Sequence, residues 1–432
     1  MKVAKFGGSS LSCEEQFKKV KQIVKSDPTR QIIVVSALGK RQAQDDKITD
    51  LLYILAAHLR HRVSGKRLWE QITQRFWQVK QELGLQLPLE RYLTEIEEHM
   101  QQGATPEYLV SRGEFLTALL VSNYLGYQFV DAKELFAFHY DGKLDQLKTE
   151  QQVQRVLVKN KKIVVPGFYG AYPNGEIHLM SRGGSDVTGA ILASVVGATL
   201  YENWTDVAGI LLADPQLVAD PVTVSQVTYQ ELQELSFMGA NVLHEEAISP
   251  VEVKNIPIQI KNTNQPQLVG TTISETSSDQ RLITGITGKK GYLSLLMSKR
   301  KIMPEVGFLN KMMNIFHHYQ ISIEYILSGY DNVRVIFSQE TTPLNIYQVM
   351  EELETELALD EITLDRDLSL IAVVGRASKQ TVGLSGKVFT ILGQHAINVS
   401  LISQSNYDLN VVIGVRDADY QQTIKVLYEG LV

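Results

Sequence analysis

The chain has 432 residues, 44% of them hydrophobic and 21% charged, and carries a formal net charge of -6. That length exceeds what one hydrophobic core organises and predicts two or three domains. The acidic balance excludes broad nucleic-acid binding, which demands a basic face, and a single cysteine, Cys13, excludes an intrachain disulfide and any multi-cysteine zinc site.

Taken in chain order, Met1 and Lys2 lead straight into an apolar run at 3–6, with no signal-type h-region. No apolar stretch is long enough to span a bilayer, so the expectation is a cytoplasmic protein without a membrane partner. Short apolar runs at 3–6, 32–37, 129–132, 163–168 and 198–203 alternate with amphipathic stretches such as 14–24 and 115–125. That alternation predicts an α/β domain over 1–275 with a mostly parallel sheet sandwiched by helices. Ligands of such sheets sit beyond the C-terminal strand ends. Residues of about 42–105, rich in Leu, Gln, Arg and Glu, read as a helical insertion.

Four polar clusters follow strands or open helices. Lys5-Phe6-Gly7-Gly8-Ser9-Ser10 puts a lysine and two glycines at a strand end, a pattern suited to an anion nest. Ser111-Arg112-Gly113-Glu114 reads as the opening of an apolar helix, with Glu114 able to accept from an ammonium. Ser181-Arg182-Gly183-Gly184-Ser185-Asp186 leads into another helix, with Arg182 offering a planar fork for a carboxylate. Asn203-Trp204-Thr205-Asp206 lies past a buried-looking strand. Each alone reads equally well as a cap or a turn. No Walker A loop, His-Glu-x-x-His pair or Gly-x-Ser-x-Gly elbow occurs.

A Thr/Ser-rich stretch at 270–280 marks a boundary. Beyond it two units repeat the order strand, loop, helix, strand, strand. The first holds Gly307-Phe308-Leu309 and 321–324; the second holds Gly383-Leu384-Ser385 and 397–400. The repeat predicts two copies of a ferredoxin-like α+β module.

The order of these motifs, with Val34-Val35-Ser36-Ala37 and Gly239-Ala240-Asn241-Val242-Leu243-His244, resembles the aspartate kinases of the amino-acid-kinase superfamily over essentially the whole chain. The tail resembles paired ACT domains: one over 300–365, a second formed by 282–299 plus 366–432, with the stretch near 282–296 pairing with 368 onward. The resemblance implies transfer of the γ-phosphoryl of ATP, with Mg2+ carried by the nucleotide rather than by protein ligands, to the β-carboxylate of L-aspartate. It gives Lys5 the phosphoryl group in transfer, Gly7, Gly8 and Ser9 its cradle, and Asp186 the orientation of Lys5. Arg182 takes the substrate α-carboxylate and Glu114 its α-ammonium; Thr49 and Ser185 also bind substrate. Ser36, Thr205, Asp206, Leu211 and Asn241 fall to the nucleotide side. The resemblance further implies a lysine or threonine effector near Gly307, Phe308, Leu309, Ser322, Ile323 and Glu324, and at least a homodimer. Ending at Val432, the chain reads as monofunctional. Many relatives carry lysine where Asn241 stands and arginine where Gln216 stands; Lys254 or Lys261 is the expected replacement, and a catalytically weak amino-acid sensor is the alternative reading.

Overall fold

The computed structural model describes the chain except residues 182, 241–242, 244, 280, 303–304, 341, 343–344, 376–381 and 405–408, with backbone alone at Glu245. It divides into two compact units. The first comprises Met1–Ile210, Thr223–Ser236 and Asn241–Asp279; the second comprises Leu211–Val222, Phe237–Ala240 and Gln280–Val432.

In the first unit β1 (Lys2–Phe6), α1 (Glu14–Ser26) and β2 (Arg30–Val35) form the opening βαβ. The helical stretch follows as α2 (Ile48–Arg60), α3 (Lys66–Glu82), α4 (Leu89–Gln101) and α5 (Pro106–Leu125). Apolar residues at helical spacing turn one face inward, such as Trp69, Ile72, Phe76 and Val79 of α3. They join α1 and the sheet in one core, where Phe6 stacks on Trp204 with ring centroids 6.0 Å apart. Then come β3 (Gln128–Phe129), α6 (Gln146–Lys159), β4 (Ile163–Pro166), the hairpin β5 (Tyr169–Ala171) and β6 (Ile177–Leu179), α7 (Gly184–Val195) and β7 (Leu200–Thr205). The unit closes with β8 (Gln226–Thr228), α8 (Tyr229–Phe237), α9 (Ser249–Glu252), β9 (Ile258–Asn262) and β10 (Thr271–Ser274); the last residue of α8 already belongs to the second unit. The main sheet runs β3-β4-β2-β1-β7-β9-β10-β8, with only the β9/β10 pair antiparallel among the described residues.

Two expected boundaries move. The run at 129–132 is a strand only through Phe129, because the Asp131 carboxylate accepts from the Lys133 N–H and starts a 3-10 turn. Ser111–Glu114 does not open a helix. Thr105 caps the Tyr108 N–H and Pro106 takes the first helical position, so Glu114 sits in the middle of the 20-residue α5.

The second unit is built on β11 (Gly285–Ser298), α10 (Phe308–His318), β12 (Ile323–Ser328), β13 (Asn332–Ser338), α11 (Ile346–Leu357) and β14 (Glu361–Val374). After them come α12 (Leu384–Gln394), β15 (Leu401–Gln404), β16 (Asn410–Val415) and α13 (Tyr420–Leu431). Its antiparallel sheet has the order β12-β13-β11-β14-β16-β15. The two central strands are each 14 residues long. Residues 285–289 of β11 pair with β14 from Val374 to Leu370, and Tyr292–Ser298 pairs with both β13 and the lower half of β14. The repeat read from the sequence is visible in the backbone. Gly307 (φ 86°) precedes α10 and Gly383 (φ 94°) precedes α12, both in the left-handed region that glycine enters without strain. The strand expected at 397–400 lies at Leu401–Gln404 instead.

Candidate active site

The C-terminal ends of β1, β2 and β7 open on one cavity of about 1120 Å³ within the first unit. Lys5, Gly8, Ser9, Ser36, Thr49, Glu114, Ser185, Asp186 and Asp206 all line it. These residues come from six separate stretches of chain, and the parallel sheet, the first turns of α2 and α7 and the middle of α5 gather them.

Lys5 is 8% exposed, and its Nζ stands 2.5 Å from the Asp186 carboxylate. Asp186 occupies the first turn of α7, where the helix dipole also favours an anion. Asn203, opposite Lys5 in the β1/β7 register, bridges the pair. Its Oδ1 accepts from Lys5 at 3.4 Å and its Nδ2 donates to Asp186 at 3.0 Å. The ammonium is thus aimed by two partners rather than left to sample rotamers. Asn203 opened the fourth polar cluster of the sequence without a role of its own, and only the strand register gives it one.

The glycine-rich turn is narrower in function than its sequence suggests. The Gly7 N–H donates to the Trp204 carbonyl at 3.0 Å, so of the expected phosphate cradle this N–H is already committed to the fold. Gly8–Leu11 forms a 3-10 turn, whose first N–H groups have no partner within the turn. Gly8 and Ser9 are the first residues of that turn and line the cavity.

Glu114 also lines the cavity and is 5% exposed. One carboxylate oxygen accepts from the Ala37 N–H at 3.1 Å; the other is buried without a hydrogen-bond partner among the described residues. Burial raises its pKa to about 7, against the lowering effect of the Ala37 N–H and of Arg112. A buried carboxyl with one open oxygen can accept one more donor. Arg112 itself is walled in by Tyr108, Phe115 and Tyr169 and lies outside the cavity lining.

Several expected residues are placed otherwise. Arg182 and Asn241 lie outside the described residues. Thr205 donates to the Asp206 carboxylate at 3.1 Å, and Leu211 begins a stretch of the second unit; neither is among the residues lining the cavity. Lys254 and Lys261 do not line it either. Lys254 donates to the Ser194 carbonyl near the C-terminal end of α7, and Lys261 lies over the Trp204 ring. The cations that do line the cavity, among the described residues, are Lys5, Lys40 and Lys47. The last two stand on the polar loop joining β2 to α2, where only the Gly39-Lys40 step after a strand end hinted at them. In the second unit Phe308 is 1% exposed and packs in the module core, Ser322 is exposed, and the Glu324 carboxylate is hydrogen-bonded to the Tyr292 hydroxyl.

A mostly parallel sheet with a lysine–aspartate pair at its strand ends defines an α/β protein whose ligand site lies at the C-terminal edge of the sheet. The Amino acid kinase family model matches residues 1–262, and an ACT domain model matches 371–431. Aspartokinase 3 of Bacillus subtilis (strain 168) is 34% identical over 99% of this chain and 98% of its own length. The crystal structure of Clostridium acetobutylicum aspartate kinase superposes with a TM-score of 0.93 at 39% identity, covering 100% of both chains. E. coli aspartokinase III, solved in complex with aspartate and ADP, shares the fold with a TM-score of 0.81 at 23% identity over 100% of this chain and 99% of its own. The chain belongs to the amino acid kinase family, in its aspartate kinase branch.

Proposed function

We propose that the protein transfers the γ-phosphoryl group of Mg-ATP to the β-carboxylate of L-aspartate, giving 4-phospho-L-aspartate. The observation that carries this reading is the pairing, in one cavity, of an aimed lysine and a half-satisfied buried carboxyl. The attacking carboxylate is already ionised near neutral pH, so no general base is required. Positioning and charge neutralisation carry the catalysis. Lys5 meets the transferring group, and Asp186 and Asn203 hold it there. Gly8 and Ser9 offer N–H donors to the phosphates, with Ser36 and Asp206 beside them. Glu114 accepts the substrate ammonium, with Arg182 toward the α-carboxylate and Thr49 and Ser185 completing the substrate side. The metal arrives with the nucleotide. Incubation with Mg-ATP, L-aspartate and hydroxylamine should form aspartyl hydroxamate. Lys5→Ala should lower the rate roughly 100-fold or more. Absence of product above the Lys5→Ala background overturns the reading, and calorimetry showing amino-acid binding without nucleotide binding would turn it toward a sensor.

The product feeds the aspartate-derived amino acids, including lysine and threonine. The tandem modules suit feedback by one of them, with Glu324 as the acceptor of an effector ammonium, in a cytoplasmic homodimer or larger assembly. Added lysine or threonine should inhibit the hydroxamate reaction, and Glu324→Ala should weaken that inhibition without changing the uninhibited rate.

A further inference from the structure

Arg75 occupies a position on α3 that the helical spacing assigns to the core. It lies on the stripe formed by Ile72, Phe76 and Val79 and is 6% exposed. Among the described residues no carboxylate stands within ion-pair distance of it, and its Nε has no hydrogen-bond partner. Burial lowers its pKa; Asp45 and Asp46 oppose that lowering and Arg41 adds to it. A buried guanidinium without a carboxylate partner costs stability that an apolar residue in its place would not. Its remaining contacts show what offsets that cost.

Arg75 donates to two main-chain carbonyls on the loop between β2 and α2. One Nη bonds the carbonyl of Gly39, and the other bonds that of Asp46 at 3.0 Å. The loop is thereby stapled at both ends. Each stapled carbonyl belongs to the residue immediately before a cavity-lining lysine: Gly39 precedes Lys40, and Asp46 precedes Lys47. Between the staples the loop is tied to itself by Arg41, whose guanidinium meets the Asp45 carboxylate at 2.8 and 3.1 Å. The Gly39 N–H donates to the Gly8 carbonyl at 2.9 Å, which fixes the same loop against the glycine-rich turn.

The described cavity lining carries Asp50, Glu114, Asp186 and Asp206 as acids, and Lys5 is already engaged by Asp186. A polyanionic nucleotide entering it needs further cations, and Lys40 and Lys47 supply them among the described lining residues. We propose that Lys40 and Lys47 contact the phosphate groups of the nucleotide, and that Arg75 is the positioning residue that presents both of them. This rests on the kinase reading above and extends it to the helical insertion, which thereby acts on the site through one side chain.

The test uses the full chain and the variants Arg75→Met, Arg75→Lys, Lys40→Met with Lys47→Met, and the triple combination. Hydroxamate kinetics would give KM for ATP and for aspartate separately, and calorimetry would give the affinity for Mg-ATP. Arg75→Met should raise KM for ATP about 10-fold and leave KM for aspartate within about 2-fold, as expected for lost charge-assisted contacts to one substrate. The double lysine variant should do the same. The triple variant should be no worse than the stronger of the two, because residues acting through one another are not additive. Arg75→Lys, able to reach one carbonyl, should fall between wild type and Arg75→Met. Additive losses, equal rises in both KM values, or a change in melting temperature alone for Arg75→Met would overturn the proposal. If Arg75→Met does not fold, the surface lysine pair and Arg75→Lys decide it, and an unchanged KM for ATP in the lysine pair overturns it. If wild type forms no hydroxamate, the kinase reading fails by itself. Mg-ATP calorimetry on the same variants then still decides the loop, and absence of binding to wild type overturns the proposal.

Discussion

At the scale of single residues, Glu114 makes the most direct prediction. Its carboxyl titrates near pH 7, far above an ordinary glutamate, because burial penalises the charged form. Below that pH the group is neutral and a poor acceptor for an ammonium. KM for aspartate should therefore fall as pH rises through about 7, and Glu114→Gln should raise KM and flatten that dependence. The free protein should show the opposite trend in stability. A folded-state pKa raised above the unfolded value contributes stability that is fully present below the unfolded pKa and lost as pH rises toward 7. Melting temperatures measured with and without aspartate across pH 5–8 would separate the two effects. Phe168 is a second residue to watch. It lines the cavity with φ 80°, a conformation costly for a bulky side chain, held by its N–H donating to Thr188 Oγ1 at 2.9 Å. Phe168→Gly should relieve the backbone yet lower turnover, read as a gain or small loss in denaturant midpoint against a fall in kcat. Lys5 and Asp186 were legible in the sequence because each sits in a short motif at an element end, and Glu114 because its Ser-Arg-Gly-Glu motif resembles one although it lies in mid-helix. The roles of Asn203 and Arg75 were not, since one depends on strand register and the other on which carbonyls a folded loop turns toward it.

At the scale of elements, the two loops flanking the phosphate end are interlocked by glycine. A Cβ on Gly39 would collide with the Gly8 carbonyl, and one on Gly8 would stand 2.9 Å from the Ala37 carbonyl. Gly39→Ala should cost about 1–3 kcal/mol through overpacking, measured by urea titration, and should lower kcat by displacing Gly8 and Ser9. The order of strands and helices was readable from alternating apolar runs, because a parallel sheet buried on both faces leaves uninterrupted Val and Ile stretches. Register was harder. In α5 the Ser-Arg-Gly-Glu cluster looks like a helix start, but Thr105 and Pro106 begin the helix earlier; in its middle Ser111 and Thr117 bond back to carbonyls of the same helix, and one Glu114 oxygen reaches out to the Ala37 N–H. The strand at Leu401–Gln404 was placed too early for a similar reason, since residues 397–400 are as apolar as the strand itself.

At the scale of the whole molecule, the boundary read near residue 275 marks only the last of the junctions between the units. Leu211–Val222 and Phe237–Ala240 precede it in the chain yet belong to the second unit. The Ile286 N–H donates to the Leu212 carbonyl at 2.7 Å, and Thr287 Oγ1 donates to the Met238 carbonyl at 3.2 Å. A chain truncated after Asp279 should therefore expose Leu212, Ala213 and Met238, which are at most 4% exposed in the full chain. Light scattering should show it aggregating where the full chain does not. The Val222 N–H makes the same point in time rather than space. Its partner, the Tyr428 hydroxyl at 3.0 Å, lies 206 positions further along the chain. At ordinary rates of synthesis, that partner leaves the ribosome roughly 10–40 s after Val222 does. The nascent chain must hold Leu211–Val222, a stretch of the second unit, without its cover for that interval, so the yield of folded protein should depend on translation speed and on chaperones more than its final stability would suggest.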